Sequence, residues 1–373
     1  MSKVVIAMSG GVDSSTAAAL LVRQGHQVTG LMLRLWSEPG LEDSNRCCSP
    51  DAMQLARRAA AQLDIPFYVL DAREPFRSQV VQFFLDEYAA GRTPNPCLEC
   101  NRRIRWGLLL DHARDLGADF LATGHYARLQ EAPDGRTLQL LRACDRSKDQ
   151  SYVLYSLNQE QLAHTLFPLG GLQKSEVRSL AQGFGLPSAR RADSQDLCFL
   201  AGGDYRAFLR RNAPGSMIPG PIRTRDGRTL GEHRGLADYT IGQRKGLGLA
   251  LGQPLYVLEK QVEEHVLIVG PLSELGASEL VARQVTWIEG RTPCQPFRAE
   301  VKTRYTARPA WAEVTPLGEA TAAVKLDQPG RDVTPGQAVV FYDGERVLGG
   351  GLIRELRIAD NGIILQRSQL EEP

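Results

Sequence analysis

Seven residues near the start, Ser9-Gly10-Gly11-Val12-Asp13-Ser14-Ser15, restrict the fold more than any other stretch of this 373-residue chain. They follow the apolar run VVIAM, a buried strand candidate, and open a segment (13–24) with apolar residues at helical spacing. Two glycines let the backbone turn tightly and approach a ligand closely. A helix start behind them offers free N–H groups and a positive dipole end to an anion. Ser9, Ser14 and Ser15 add hydroxyls, and Asp13 is an oxygen ligand suited to Mg²⁺ beside phosphates. The Gly-Lys-Ser/Thr and GxGxxG signatures are both absent. A glycine turn with an ordinary cap is the plainer reading. The position directly after a buried strand favours a nucleotide-phosphate loop.

The pattern downstream predicts strands at 28–35, 67–70 and 120–124. It predicts helices from Ser49 or Asp51 to about 63, at 74–89 and at 101–116. Strands separated by helices imply an α/β domain with a doubly wound, mostly parallel sheet, whose ligand site lies at the carboxyl ends of strands. Gly and Pro become frequent after about 203, and short β-rich runs recur from about 278. The expected organisation is a catalytic α/β domain (1–203), a small β-rich domain (204–277) and a C-terminal β-barrel (278–373).

The 44 basic and 43 acidic side chains give a net charge of +1, which argues against a generic nucleic-acid-coating protein. The basic set is 37 Arg and 7 Lys, and guanidinium is the better fork for phosphate. No stretch has the roughly 18 apolar residues of a membrane span, and the start lacks a leader pattern. A cytoplasmic protein is expected. Its seven Cys are too few for a secreted disulfide scaffold, and the number is odd.

The segment from Gly91 to Arg105, GRTPNPCLECNRRIR, carries four Arg and one Glu. Cys100 is expected near a helix N-terminus with Arg neighbours, a setting that favours thiolate. One CxxC supplies two ligands where a structural zinc wants four. A redox pair, or a cluster completed by a third Cys such as Cys198, stays open. On composition alone the leading reading of Cys198 is a buried structural residue between Leu197 and Phe199. Cys144 and Cys294 read as structural, and Cys47-Cys48 as part of a loop. Two stretches, 223–245 with six basic and three acidic residues and 297–309 with four and one, add weak support for a large anionic substrate.

The phosphate loop resembles that of the ATP-pyrophosphatase superfamily, whose members cleave ATP to AMP and pyrophosphate and adenylate a substrate oxygen. SGGVDSS, GRTPNPCLECNRRIRW, ATGHYAR, RSKDQSYVLY, DSQDLCF, TIGQRKGLG, VKTRYTARPA and PGQAVVFYDGERVLGGG occur in this order. Together they resemble the tRNA-specific 2-thiouridylase family. The resemblance implies a sulfurtransferase that uses ATP, Mg²⁺ and a persulfide, partnered by tRNA with a wobble uridine and by a persulfide donor protein. It implies ATP contacts at Ala7, Met8, Ser9, Gly10, Gly11, Val12, Asp13, Ser14, Leu33 and Gly124. It makes Cys100 the nucleophile and Cys198 the persulfide carrier; either a Cys100–Cys198 disulfide forms as sulfur moves, or Cys100 assists as acid/base while the persulfide attacks directly. Asn95, Pro96 and Cys97 would face the target base. His125, Lys148, Asp149, Gln150, Arg304, Tyr305 and Gln337 would touch tRNA. Many members carry Asp where this chain has Cys97. An adenylating ligase of the same superfamily, or a non-catalytic tRNA-binding protein, would share the loop without needing both cysteines.

Overall fold

The computed structural model describes residues 1–38, 40, 49–192, 197–200, 203–249, 252–331, 333–357 and 364–365. Cys47, Cys48 and residues 193–196 of the DSQDLCF segment lie outside this set. The strands before residue 170 are β1 (Lys3–Ala7), β2 (Gln27–Arg34), β3 (Phe67–Asp71), β4 (Phe120–Ala122), β5 (Ala127–Glu131), β6 (Leu138–Arg142) and β7 (Thr165–Leu166). Five of them form one sheet in the order β3-β2-β1-β4-β7, with every pairing parallel. The continuous apolar stretch Val4-Val5-Ile6, at most 2% exposed, is what a strand covered on both faces requires.

Helix α1 (Val12–Arg23) follows β1, and α2 (Pro50–Gln62) follows β2. Ser49 caps α2 by accepting the Ala52 N–H at 3.2 Å. Ala52, Ala56, Ala59 and Ala60 are its buried residues, and their small size lets the helix lie close to its neighbours. The 74–89 segment is helical but not uniformly so: a wide π-turned stretch, Arg77–Val81, separates Arg73–Phe76 from Gln82–Ala89. The next helix begins at Pro96 rather than at 101, because Asn95 caps it by accepting the Cys97 N–H at 3.1 Å. It continues as the π-wound Cys100–Leu109 and the α-helical Leu110–Asp115. Cys97, not Cys100, therefore occupies the first turn. That corrects the expected position of Cys100 and shortens the reach of the helix dipole toward it.

β8 (Gly220–Arg223), β9 (Thr229–His233), β10 (Tyr256–Gln261) and β11 (Val266–Gly270) make a separate sheet in the order β10-β11-β8-β9. The last set is β12 (Ala277–Trp287), β13 (Phe297–Lys302), β14 (Ala310–Gly318), β15 (Thr321–Gly330), β16 (Ala338–Asp343) and β17 (Arg346–Arg357). β12 pairs with both β15 and β17, so these six strands close into a barrel. Val301, Val314, Val324, Val339 and Phe341 pack in its core.

The hairpin β5–β6 leaves the first sheet and joins the barrel strand β17, with Leu141 opposite Arg346. A second tie runs through the basic loop. Thr93 N–H donates to the Pro335 carbonyl at 2.9 Å, and Gln337 Nε2 donates to the Thr93 carbonyl at 2.8 Å. A third is ionic: Glu87, 4% exposed, receives Arg92 at 2.7 Å and Arg354 of β17 at 2.8 Å. Burial raises the Glu87 pKa, and the two guanidinium donors outweigh it and hold the carboxyl below its usual value. Among the described residues no helix is long and apolar enough to cross a membrane.

Candidate active site

The chain moves from β1 to β2 on one side of the sheet and returns to β4 on the other, so the loops after β1 and β4 meet at a switch point. Gly10 has φ +69°, and a Cβ there would stand 2.2 Å from the Ala52 carbonyl oxygen. Gly11 precedes α1 in extended conformation and contributes no side-chain cap. Ser14 Oγ accepts the Ser9 N–H at 3.2 Å and donates to the Gly11 carbonyl at 3.3 Å, which fixes the turn. Ala7 ends β1, while Met8 and Val12 are buried beside the loop. Leu33 is near the carboxyl end of β2, opposite Leu70 of β3.

Gly124 is pressed onto the start of α1. A Cβ at this position would lie 2.9 Å from the Ser14 backbone nitrogen and 3.1 Å from the Asp13 carbonyl carbon. Both obstacles are backbone, so Gly124→Ala must push the two loops apart. We expect the thermal transition to fall, since overpacking against fixed backbone costs roughly 1–3 kcal/mol. The check is the thermal transition of Gly124→Ala against that of the unaltered protein.

Three residues not singled out for the nucleotide loop from sequence converge on it. Lys174 Nζ contacts both carboxylate oxygens of Asp13, at 2.6 and 2.8 Å. Tyr126 O–H donates to Asp13 Oδ1 at 2.8 Å. Arg191 donates to the Gly10 carbonyl at 2.9 Å. Lys174 and Arg191 are 161 and 181 residues from their partners, and no local pattern signals such pairs. His125, expected at a tRNA surface, is instead 8% exposed. Its Nδ1 lies 2.8 Å from Thr123 Oγ1, and burial followed by the Arg105 charge pushes its pKa well down, so the ring is neutral.

Cys100 is buried, Cys198 partly buried and Cys97 exposed. Cys100 and Cys198 belong to one apolar cluster that also takes in Leu33 and Leu35 from the carboxyl end of β2. Phe199 anchors the Cys198 segment. Its ring stands edge-on to Phe84 at 5.2 Å and Phe208 at 5.4 Å. Both cysteines are thiols here, and no disulfide joins them; the expected disulfide is not a feature of this state. Among the described residues no group of three or more His, Cys, Asp or Glu is placed to hold a metal ion. An open cavity of about 500 Å³ lies beside them, lined by Tyr88, Asn95, Pro96, Leu197, Tyr205 and Gln337.

The arginines of the basic loop divide by role. Arg92 is committed to Glu87, and Arg105 turns inward to Asn101 Oδ1 at 2.6 Å. Arg102 and Arg103 stay outward, 41% and 54% exposed, leaning on Glu99. Lys148 is half-buried. Asp149 is buried and accepts from Ala143 N–H, Ser151 N–H and Ser151 Oγ. Gln150 accepts the Tyr126 N–H at 3.0 Å. Arg304 donates to the Ile241 carbonyl at 3.1 Å and to Thr334 Oγ1, tying the barrel to the segment that precedes β10. Tyr305 is exposed, and burial of its hydroxyl end, then the charges of Asp149 and Cys97, raise its pKa.

Family models match along the chain. The tRNA methyl transferase HUP domain covers residues 2–202, the tRNA methyl transferase PRC-barrel domain 206–271, and the aminomethyltransferase beta-barrel domain 277–353. The tRNA-specific 2-thiouridylase MnmA of Roseiflexus castenholzii is 50% identical over 370 residues, covering 95% of this chain and 99% of the relative. The proteins of that name from Chloroflexus aurantiacus and Moorella thermoacetica are 48% and 50% identical, covering 96% and 94% of this chain and 100% and 99% of theirs. With identity of this level along nearly the full length of each relative, the chain belongs to the tRNA-specific 2-thiouridylase (MnmA) family.

Proposed function

We propose that the protein replaces the C2 oxygen of the wobble uridine of tRNA with sulfur, consuming ATP. The observation that supports this reading is the shared apolar cluster of Cys100 and Cys198 with Leu33 and Leu35 at the carboxyl end of β2, the strand that pairs with β1, from which the phosphate-type loop leads. Thiolation is favoured over the methyl transfer named in the family descriptions, because a triphosphate loop and a thiol pair are parts that adenylation and sulfur transfer both need.

A urea-like carbonyl oxygen leaves poorly. Transfer of AMP to it converts it into a phosphate-ester leaving group. The N–H groups at the start of α1 and the Ser9 and Ser14 hydroxyls would hold the phosphates. Asp13 is the carboxylate of the loop. Mg²⁺ brought with ATP usually takes one or two carboxylates plus phosphate oxygens, so Asp13 suits it and would hold it. The cation supplies charge neutralisation on the phosphates.

The sulfur step balances within the two cysteines. The terminal sulfur of a Cys198 persulfide attacks C2 and AMP departs, leaving a uridine–S–S–Cys198 disulfide. The Cys100 thiolate then attacks Cys198 Sγ, the uridine leaves with its sulfur, and a Cys100–Cys198 disulfide remains. In the other order Cys100 first releases hydrosulfide, which attacks C2. Both orders end on the same disulfide, which an external dithiol must reduce. A reducing compartment such as the cytosol suits that cycle. The target base would be splayed out into the cavity at Asn95 and Pro96, with Arg102, Arg103, Lys148, Arg304, Tyr305 and the barrel face on the tRNA backbone. The sulfur arrives from a partner that carries it as persulfide.

The test is nucleoside mass analysis of wobble-uridine tRNA after incubation with protein, Mg-ATP and a persulfide donor. A gain of sulfur for oxygen that requires ATP is expected. Loss of AMP release on omitting tRNA, with no sulfur gained in its presence, would leave an adenylating ligase. Stoichiometric iron in anaerobically purified protein, with activity lost on its removal, would replace the persulfide route.

A further inference from the structure

Cys97 and Cys100 ride on one turn, and both ends of that turn are tied to the same short segment of the barrel. At the entry, Thr93 N–H donates to the Pro335 carbonyl at 2.9 Å, and Gln337 Nε2 donates to the Thr93 carbonyl at 2.8 Å. Gly336 stands between these partners with φ +93°, and a Cβ on it would lie within 3.0 Å of the Thr93 nitrogen, carbonyl carbon and oxygen. Only glycine permits so close an approach of two backbones. At the exit, Asn101 Nδ2 donates to the Val153 carbonyl at 2.8 Å, and the adjacent Tyr152 donates its O–H to the Ala338 carbonyl at 2.9 Å. Asn101 and Tyr152 have no exposed surface, so both bonds act in a low dielectric. The segment is locked to β17: Gly336 N–H donates to the Ile353 carbonyl at 2.9 Å, and Ile353 N–H to the Gln337 carbonyl at 2.8 Å. The next residue, Arg354, reaches Glu87 at 2.8 Å, and Glu87 also holds Arg92, the residue before Thr93.

The two thiols on the turn differ in setting. Cys100 is 7% exposed inside the apolar cluster that contains Cys198, while Cys97 is exposed and outside that cluster. Three residues on a helix span about 4.5 Å. A modest slide or rotation of the turn would therefore present the other thiol to Cys198. Residue type does not choose between them, so the placement of the turn must. We propose that the barrel segment Pro335–Ala338, with Arg354, is a brace that selects Cys100 over Cys97 as the partner of Cys198 by holding both ends of the turn. Gly336 and Arg354 fix the entry and Tyr152 the exit. All three are positioning residues, each acting through the turn. The proposal rests on the thiolation reading above and adds to it the choice of resolving thiol and the residues that enforce it.

The test is single-turnover thiolation by the full chain, loaded with persulfide and mixed with Mg-ATP and wobble-uridine tRNA without reductant. Two quantities are read: the rate against tRNA concentration, and the disulfides left in the acid-quenched, alkylated protein, mapped by peptide mass. Wild type should leave Cys100–Cys198. Gly336→Ala drives a methyl into the Thr93 backbone. Its rate at saturating tRNA should fall by about 10²-fold, the cost of a displacement near 1 Å. The half-saturating tRNA concentration should stay unchanged, and a Cys97–Cys198 disulfide should appear. Arg354→Met should show a smaller loss of the same kind, and Arg354→Lys, which keeps a cation for Glu87, should recover part of it. Tyr152→Phe removes only the hydroxyl tie and carries the test if Gly336→Ala does not fold. Wild-type rates with Cys100–Cys198 alone in Gly336→Ala, or in Tyr152→Phe where it stands in, overturn the proposal. So does a loss confined to tRNA half-saturation, which would make the segment a tRNA contact instead. A wild-type protein that gains no sulfur removes the thiolation reading itself, which is a different result.

Discussion

A Cys198→Ser enzyme is expected to release AMP and pyrophosphate in the presence of tRNA and to yield no thiolated uridine. Serine cannot carry a sulfane sulfur, while nothing in the loop at Gly10–Ser14 contacts Cys198 in the hydrogen bonds that fix the turn. The Cys100→Ser enzyme separates the two orders of sulfur transfer. If the persulfide attacks first, the uridine–S–S–Cys198 intermediate has no thiolate to resolve it. Protein and tRNA should then accumulate as a covalent adduct that dithiothreitol splits to thiolated tRNA. If hydrosulfide is released first, no adduct forms and thiolation stops. A denaturing gel with and without reductant reads the difference. Cys100 is 7% exposed in an apolar cluster, so a serine hydroxyl there costs about 1–2 kcal/mol of stability. Cys100→Ala keeps the site apolar and serves as the control for folding. Full thiolation by either variant would detach the chemistry from this cluster.

The α/β part and the phosphate loop were legible because their signals are local. Buried runs, a glycine turn and periodic helices each occupy fewer than about twenty residues, within reach of a pattern argument. The family resemblance extended that reading to the sites, through motifs that are local too. Long-range pairings were not legible. The β5–β6 hairpin joins β17 across about two hundred residues, and nothing in ARLQE or LQLLR says which sheet it will enter. Lys174 on Asp13 and Arg354 on Glu87 are of the same kind. The helix start at Pro96 was readable in principle: Asn95 followed by Pro is a cap with proline at the first helical position. The CxxC that follows points by residue type to metal and redox chemistry rather than to a cap. His125 shows the limit of residue type, since a turn histidine beside Gly124 became a neutral ring between Trp106 and Phe167.

Replacing Lys260 by methionine is expected to stabilise the protein, and to do so most at low pH. Lys260 lies in β10 opposite Leu267, is 6% exposed, and its Nζ has no hydrogen-bond partner. Burial alone lowers its pKa from 10.5 to about 7. The unfolded chain keeps the ordinary lysine value, so between about pH 7 and 10.5 the unfolded state binds more protons than the folded one. Stability from this group therefore rises with pH across that window. Below about pH 7 the penalty is complete, because both states are protonated and the folded one holds an unpaired ammonium. The displacement corresponds to an upper bound on the order of 5 kcal/mol. Local relaxation and water entry reduce what is measured, and a gain of roughly 1–3 kcal/mol from Lys260→Met is expected near pH 6. Methionine keeps the length and the apolar contacts of the stem, so the change removes the charge without opening a cavity. The gain should shrink toward zero near about pH 10. Denaturant midpoints of both proteins at the two ends of this range decide it. A Lys260→Met protein that is less stable at both ends would mean that the ammonium has a partner in solution and that the cavity it lines with Arg92 and Arg354, where the basic loop, the central sheet and the barrel meet, is where to look for it.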